Sequence, residues 1–201
     1  MRIIAGTFRS RHLLPVKKLK LRPSSDMLRE TLFNILGPRI EDSRFIDLFA
    51  GTGAVGIEAV SRGATFVVFV ENHAPAAHLI QENLASLPVT ENVRVMKSEV
   101  TAAIAKLETE NQPPFKFIFL DPPYAGERQY HSVLHALAKS PLLAEQTVVI
   151  AEHRKTLDLP EVIAVPQASS GQLSAPRSGL QRYRVLRQGD AALSFFRLIP
   201  A

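Results

Sequence analysis

Four consecutive residues, Asp121-Pro122-Pro123-Tyr124, are suited to hold a flat group that has an exocyclic amine. The carboxylate of Asp121 and the backbone carbonyl of Pro122 can accept two N–H bonds, and the ring of Tyr124 can stack on the group. Such charge-assisted hydrogen bonds contribute roughly 1.5–3 kcal/mol each. The two prolines stiffen the segment, because proline fixes φ and lacks an N–H. The structural alternative is a turn of two prolines capped by an aspartate.

A wholly apolar run precedes this segment and indicates where in a fold it lies. Residues Phe117 to Leu120 are β-branched, aromatic or aliphatic and are bounded by turn residues, so they predict a strand buried on both faces. In open α/β sheets, ligands bind at the carboxyl ends of such strands. The sequence therefore predicts an amine-holding site at the end of a buried strand.

A second motif, GxGxxG, is formed by Gly51, Gly53 and Gly56 between a predicted strand and a predicted helix. Glycine lets the backbone turn sharply and approach a ligand closely. Glu71 ends the next predicted strand, where a carboxylate can accept both hydroxyls of a ribose. The pattern by itself fits a nicotinamide enzyme and an S-adenosylmethionine (SAM) enzyme equally well. The structural alternative is a tight strand-to-helix turn.

Acidic residues near the glycines favour SAM. Asp47 precedes Gly51 by four residues, where it would face the ammonium and sulfonium of SAM but would repel the phosphates of NAD. Glu99, after the third predicted strand, could accept a hydrogen bond from the adenine amine, although an exposed acid at a helix start is nearly as good an interpretation. The predicted cofactor-binding residues are Asp47, Phe49, Ala50, Gly51, Gly53, Glu71, Asn72 and Glu99.

The positive charge is concentrated at the N-terminus. Residues 1–25 have seven basic side chains and no acid, whereas the whole chain has a net charge of +5, so the remaining residues sum to −2. A local excess of this kind predicts a phosphate-binding surface, with a solvated flank as the alternative. The predicted RNA-binding residues are Arg2, Arg9, Arg11, Lys17, Lys18, Lys20 and Arg22.

Length and composition limit the other possibilities. A chain of 201 residues, 46% hydrophobic and 21% charged, predicts one packed domain or a domain with a small appendage. No apolar run is long enough for a membrane span, and the basic start leaves an organellar presequence as a minor alternative to a cytoplasmic protein. The absence of cysteine excludes disulfides and a thiol nucleophile, and the histidines lack ligand spacing, so no metal site is predicted. The protein is expected to be a monomer.

Alternating periodicity predicts a mostly parallel sheet with helices on its faces. The predicted main-sheet strands are 44–50, 66–70, 93–96, 117–120 and 147–152, and the predicted helices are 57–62, 74–87, 100–109 and 128–139. Before them we expect two short strands, 3–6 and 12–16, and a helix capped by Ser24, Ser25 or Asp26 with its apolar face at Leu28, Leu32, Ile35 and Leu36. After them we expect a flexible loop, 167–179, and a hairpin of strands 183–187 and 192–199 that turns at Gly189-Asp190 and closes one sheet edge.

These motifs resemble a known family. Asp47–Ala59 (DLFAGTGAVGIEA) with the Asp121–Tyr124 segment is similar to class I SAM-dependent amino-methyltransferases. The N-terminal residues Arg2–Gly6, Arg11, Pro15, Arg22 and the block Arg29–Leu36 (RETLFNIL) more particularly resemble the RsmD family, which methylates guanine N2 in small-subunit ribosomal RNA. The resemblance runs from residue 2 to about residue 155 and resumes at the last hairpin. It departs from the family at Ser24, at Glu99 and in the long stretch 163–180.

The resemblance implies a Rossmann-like sheet of seven strands with the last strand antiparallel. It divides the chain into a basic hairpin and helix, 1–40, and a methyltransferase domain, 41–201. It implies direct methyl transfer from SAM to the N2 amine of a 16S ribosomal RNA guanine within a small-subunit assembly, with Asp121, Pro122, Pro123 and Tyr124 as catalytic residues. The alternatives are a DNA adenine-N6 or other amino-methyltransferase, a non-catalytic RNA-binding Rossmann module and a nicotinamide oxidoreductase.

Overall fold

The computed structural model describes residues 1–14, 25–88, 91–123, 127–165 and 179–199. The chain divides into two compact units, Met1–Ala103 and Ile104–Ala201, and each is described by itself. The division lies inside one helix, α4 (Val100–Thr109). The domain boundary that the resemblance implies, between residues 40 and 41, stays a prediction.

The first unit contains three parallel strands with a helix after each. Its elements are α1 (Asp26–Leu36), a short 3-10 helix (Gly37–Ile40), β1 (Arg44–Leu48), α2 (Ala54–Ser61), β2 (Phe66–Val70), α3 (Ala74–Ala85), β3 (Val93–Met96) and the start of α4. Strand β2 lies between β1 and β3 and pairs with both in parallel register. The strand-helix alternation predicted for this part of the chain is confirmed.

Local chemistry explains where the first helix begins and ends. The hydroxyl of Ser25 accepts a hydrogen bond from the backbone N–H of Leu28 at 3.1 Å, so Ser25 is the N-cap among the three predicted candidates. Gly37 ends the helix with φ 56°, a conformation that glycine adopts without strain. Leu28, Leu32 and Leu36 are buried as the periodicity predicts.

The second unit contains one parallel strand pair and an antiparallel meander. After the end of α4 it forms β4 (Phe117–Leu120), α5 (Glu127–Ala138), β5 (Val148–Arg154), β6 (Val162–Ala164), β7 (Gly179–Gln188) and β8 (Ala191–Leu198). The order of its strands is β4-β5-β8-β7-β6. Strands β4 and β5 pair in parallel, and all the other pairs are antiparallel.

The predicted strand number was wrong. The described residues form eight strands rather than seven, and the last three strands pair with one another and with β5 in three antiparallel pairs, where a single antiparallel strand was implied. Strand β6 was missed because three residues are too short to show an alternating pattern. Strand β7 is longer than predicted. A register shift between Arg182 and Arg184 interrupts the alternation of its side chains, and the prediction depended on that alternation. The predicted loop 167–179 lies outside the described residues except for Gly179, which begins β7.

The two predicted N-terminal strands are also absent from the described part of that segment. Residues 1–14 contain one isolated antiparallel bridge, between Arg2 and His12, and a backbone hydrogen bond from Ile3 N–H to Arg11 at 2.9 Å. No ladder extends from this bridge, because the next backbone N–H groups, of Ile4 and Ala5, donate to a side chain on α2 instead. Residues 15 and 16 lie outside the described residues.

Within the described ranges, no helix is both long enough and apolar enough to cross a membrane.

Candidate functional site

The glycine turn, Phe49–Gly53, connects β1 to α2 and has an unusual backbone. Phe49 has φ 62°, and Gly51 and Gly53 also have positive φ values of 54° and 76°. A bulky residue in the left-handed region costs of the order of 1–3 kcal/mol, and such strain is concentrated at functional sites. Two backbone hydrogen bonds hold the turn. The N–H of Ala50 donates to the backbone oxygen of Val70 at 2.9 Å, and the N–H of Gly53 donates to the backbone oxygen of Ala50 at 2.7 Å.

Asp47 has a structural contact that the sequence did not predict. Its Oδ2 accepts a hydrogen bond from the N–H of Gly56 at 2.8 Å, and the side chain is buried. Gly56 is the third residue of α2, so the carboxylate neutralises one of the unpaired N–H groups of the helix start. The N-terminus of α2 therefore already holds an anion of its own, where a dinucleotide-binding fold would place a phosphate.

Glu71 fixes the same turn from the end of β2. Its Oε2 accepts from Gly51 N–H at 2.8 Å, and its Oε1 accepts from His73 N–H at 2.8 Å. A carboxylate has about four lone-pair sites, so these two bonds orient the group and leave acceptor capacity for a ligand. The direct hydrogen bond between Glu71 and the glycine turn was not predicted from the sequence, and the predicted contact of Glu71 with a ribose stays a prediction.

The remaining predicted cofactor residues lie at the ends of the next strands. Asn72 follows β2, and its Nδ2 donates to Oε1 of Glu99 at 2.7 Å, close after β3. Both side chains are exposed. The first unit therefore brings Asp47, the glycine turn, Glu71, Asn72 and Glu99 to the carboxyl ends of β1, β2 and β3.

These residues fit SAM better than they fit a dinucleotide. Three carboxylates line these strand ends, and one of them occupies the helix start that a pyrophosphate would need. Such a site favours a ligand with an ammonium, a sulfonium and ribose hydroxyls. The turn also packs tightly, since a Cβ on Gly53 would lie 3.1 Å from the side chain of Ile80.

The predicted amine-holding segment lies in the second unit. Strand β4 is buried along its whole length, and Asp121 follows it half-buried, with Pro122 buried and Pro123 exposed. The predicted buried strand and its abrupt end are confirmed. Tyr124 lies outside the described residues, and the catalytic roles of all four residues stay predictions.

The predicted RNA-binding residues are only partly described. Arg2, Arg9 and Arg11 are exposed, and Arg11 Nη1 donates to the backbone oxygen of Ser86 at 3.3 Å. The others, Lys17, Lys18, Lys20 and Arg22, lie outside the described residues, as does Ser24.

A buried ionic cluster beneath the N-terminal segment was missed. Glu58 on α2 is 1% exposed, and its carboxylate accepts from the N–H groups of Ile4 at 2.8 Å and Ala5 at 3.0 Å. It also accepts from Arg62 Nε at 2.7 Å and lies 3.8 Å from Arg29 Nε. Burial lowers the pKa of Arg29, and the nearby carboxylates oppose that shift. The sequence signal for this buried cluster was a glutamate, Glu58, within the apolar stretch that follows the glycine motif.

Asn83 was not assigned a role either, although it connects two segments with predicted functions. It is fully buried on α3; its Oδ1 accepts from Leu14 N–H at 2.7 Å, and its Nδ2 donates to the backbone oxygen of Thr52 at 3.3 Å. Thr52 belongs to the glycine turn, and Leu14 directly precedes the part of the basic segment that is not described. A polar residue among the apolar positions Leu79, Ile80 and Leu84 was the signal for it.

No metal centre is apparent in the part of the chain that the structure describes, where no three histidine, aspartate or glutamate residues are grouped as metal ligands.

Comparison with known proteins identifies one family and several relatives. A family model described as "Conserved hypothetical protein 95" matches residues 1–173. The chain is 36% identical to "Putative rRNA methyltransferase YlbH" of Bacillus subtilis, over 81% of this chain and 88% of that protein. It is 35% identical to "Ribosomal RNA small subunit methyltransferase D" of Escherichia coli K12, over 82% of this chain and 80% of that protein. The solved structure titled "Putative methyltransferase yhhF from Escherichia coli" superimposes with a TM-score of 0.78 and 30% identity, over 100% of this chain and 98% of that one.

Proposed function

Because this chain belongs to the RsmD family, whose model is described as "Conserved hypothetical protein 95", we propose that it is a SAM-dependent ribosomal RNA methyltransferase. The proposed target is the exocyclic N2 amine of a guanine in small-subunit RNA, acted on within a small-subunit assembly in the cytoplasm. Relatives that are 35–36% identical over about four fifths of the chain have names that describe ribosomal RNA methyltransferases, which supports the RNA substrate.

One observation supports the cofactor more than any other. The chain's own carboxylates hold the glycine turn and the start of α2, with Asp47 on Gly56 N–H and Glu71 on Gly51 N–H. A turn organised in this way offers negative charge where a nicotinamide enzyme offers unpaired N–H groups. SAM, when bound, supplies a methyl group made electrophilic by its positive sulfur.

Each acid then has a separate task at the cofactor site. Asp47 holds the start of α2 and sets a negative potential for the ammonium of the amino-acid moiety. Glu71 uses its remaining lone pairs to accept the ribose hydroxyls. Asn72 and Glu99 are already paired at 2.7 Å, and they orient the adenine edge.

Asp121 is proposed to position the substrate amine. Its carboxylate and the carbonyl of Pro122 accept the two N–H bonds of N2, which turns the nitrogen lone pair towards the methyl donor. Tyr124 stacks on the guanine, which must be unstacked or unpaired to be reached. Asp121 or water accepts the proton that the amine releases. Positioning and electrostatics therefore supply most of the acceleration.

The test is methyl transfer by the purified full-length chain with radiolabelled SAM, with free small-subunit RNA, the assembled small subunit and duplex DNA as separate substrates. Mass spectrometry of the digested RNA should detect N2-methylguanine at one position. Labelled N6-methyladenine in DNA would instead support the adenine-methylase alternative. RNA binding without SAM binding would indicate a non-catalytic module, and NADH binding without SAM binding would indicate an oxidoreductase.

A further inference from the structure

The side chain of Asn83 on α3 connects the glycine turn to the N-terminal segment. It is fully buried. Its Oδ1 accepts a hydrogen bond from Leu14 N–H at 2.7 Å, and its Nδ2 donates to the backbone oxygen of Thr52 at 3.3 Å. Thr52 lies in the turn that is proposed to bind SAM, and Leu14 precedes the basic residues that are predicted to bind RNA. We call these two hydrogen bonds the Asn83 bridge.

The bridge depends on the amide group of asparagine. A side-chain amide has an acceptor oxygen and a donor NH2 on one carbon, so it can bond a backbone N–H on one side and a backbone oxygen on the other. An ionised aspartate lacks the donor, and a leucine of similar size has neither group. The other buried side chains of α3 are apolar, so packing alone does not require a polar residue at this position.

A second set of contacts joins the same two segments. The hydroxyl of Thr52 donates to Sδ of Met1 at 3.8 Å, and the backbone oxygen of Met1 accepts from Leu13 N–H at 3.1 Å. Helix α3 also supports the turn one helical turn before Asn83, where a Cβ on Gly53 would lie 3.1 Å from the side chain of Ile80. The N-terminal segment and the glycine turn are therefore held against each other at more than one point.

Burial makes the bridge a means of energetic coupling. A buried polar atom that loses its hydrogen-bond partner costs free energy, so neither Leu14 nor Thr52 can move away from Asn83 without a penalty. A ligand that orders the glycine turn thus also holds Leu14. The predicted RNA-binding lysines begin three residues later, at Lys17, and this segment then has less conformational entropy to lose when it binds.

We propose that Asn83 is a positioning residue that couples SAM binding to RNA binding. It acts through the backbone of Thr52 and Leu14 rather than through contact with either ligand. The coupling is reciprocal, so SAM tightens RNA binding by the same factor by which RNA tightens SAM binding. The proposal rests on the proposed function, because it takes SAM as the ligand of the turn and RNA as the ligand of the basic segment.

The experiment measures the Kd of the full-length chain for a small-subunit ribosomal RNA transcript, with and without saturating S-adenosylhomocysteine, which has no methyl group to transfer. In the wild type this compound should lower the Kd for RNA by about fivefold or more, and in Asn83→Leu by less than about twofold. Calorimetric titration without RNA should show a smaller change in the affinity of Asn83→Leu for S-adenosylhomocysteine than the change in this ratio.

A matched pair of variants tests the bridge from its other end. Leu14→Pro removes the N–H from which Asn83 accepts, because proline has no backbone N–H, and it leaves the bond to Thr52 in place. Leu14→Ala keeps the N–H and shortens a side chain that is 44% exposed. We expect Leu14→Pro to lose the effect of S-adenosylhomocysteine on the Kd for RNA, and Leu14→Ala to keep the wild-type ratio.

A loss of stability alone should not change this ratio. Leu84→Ala leaves a cavity beside Asn83 on the same helix, since Leu84 is buried, but it keeps both bonds of the bridge. It should lower the temperature of thermal unfolding and retain the wild-type ratio. An equal loss of the ratio in Leu84→Ala would overturn the proposal, because any destabilisation of α3 would then be sufficient.

The remaining outcomes separate the bridge from the enzyme. If S-adenosylhomocysteine does not change the Kd of the wild type for RNA, or if either folded bridge variant, Asn83→Leu or Leu14→Pro, keeps the wild-type ratio, the coupling proposal is overturned. Methyl transfer by the wild type decides the proposed function separately. Coupling through Asn83 in a chain that transfers no methyl group would contradict the proposed function alone. If Asn83→Leu does not fold, Leu14→Pro decides the test.

Discussion

Both compact units bury carboxylates, including Glu152 in the second unit, but the two units also hold buried polar side chains in different ways. The first unit buries the carboxylates of Asp47, Glu58 and Glu71, and each accepts hydrogen bonds from backbone N–H groups of its own chain. The second unit buries His153 against Ser194, with Nε2 2.8 Å from the hydroxyl and Nδ1 2.8 Å from the backbone oxygen of Arg154. Burial lowers the pKa of His153, so this pair is held in a neutral form.

This difference indicates which segments the buried polar side chains hold in place in each unit. A buried anion is stable only where hydrogen-bond donors compensate it. In the first unit these donors belong to the glycine turn, to the starts of α2 and α3 and to the N-terminal segment. The acids therefore determine the shape of the segments that are proposed to bind SAM and RNA. The neutral pair in the second unit links β5 to β8 and contributes no charge. The carboxylate of Asp121, which we propose to bind the substrate amine, is half-buried.

The largest effect is expected at the acid that is proposed to hold the substrate amine. Asp121→Ala should reduce the rate of methyl transfer by about a hundredfold to a thousandfold, because the amine loses its acceptor. SAM affinity, measured by calorimetry, should change less than about twofold.

Asp121→Asn serves as the control for size, since it keeps one acceptor oxygen. A joint loss of SAM binding and transfer in the alanine variant would mean that Asp121 is structural, and the contrast with the buried acids would disappear.

Removing a buried acid should instead lower stability. Glu58→Ala removes the buried carboxylate that pairs with Arg62 and lies near Arg29, and it leaves two N–H groups of the N-terminal segment unpaired, so the free energy of unfolding should fall by about 3–5 kcal/mol. Urea denaturation followed by circular dichroism measures this.

Glu30→Ala, an exposed acid on α1, is the matched control and should change stability by less than about 0.5 kcal/mol. Equal changes in the free energy of unfolding for the two variants would show that the buried cluster contributes no more to stability than an exposed acid does.

Glu71→Ala should act on the cofactor before it acts on the chemistry. It removes the acceptor of Gly51 N–H and the proposed ribose contact, and hydrogen bonds to charged groups contribute about 1.5–3 kcal/mol. SAM affinity should therefore fall by about ten- to a hundredfold in calorimetric titration.

Glu82→Ala is the control, because this acid is exposed on α3. An unchanged SAM affinity in Glu71→Ala would show that the cofactor placement is wrong.

The smallest effect should come from His153, and its sign follows from the lowered pKa. The folded state binds fewer protons than the unfolded state below the ordinary pKa of 6.5. The stability that His153 contributes is therefore present above pH 6.5 and is lost as the pH falls towards the lowered folded pKa, by up to about 1.4 kcal/mol for each unit of lowering.

Thermal unfolding of the wild type and of His153→Gln between pH 5 and pH 8 checks this. The difference between the two profiles should shrink towards low pH. A difference that is constant with pH would mean that the imidazole does not titrate in this range.

The amino-acid sequence was sufficient for elements whose pattern is local. The apolar runs of β2 and β4 and the alternating residues of β3 are bounded by turn residues or charged residues, and their predicted limits agree with the structure. The glycine motif was recognisable because the residues that a sharp turn needs are consecutive. Strand β6 was not recognisable, since its three residues are held by pairing with β7 rather than by any pattern of their own.

The sequence alone determined the fold class, the glycine turn and the types of side chain near it, because periodicity and glycine content act over a few residues. Only the tertiary structure decided which partners those side chains have. The bonds of Glu58 to Ile4 and of Asn83 to Leu14 join residues that are 54 and 69 positions apart, and no local pattern specifies such a pairing. A buried polar group takes whichever donor the packed fold brings to it, and that choice belongs to the whole chain.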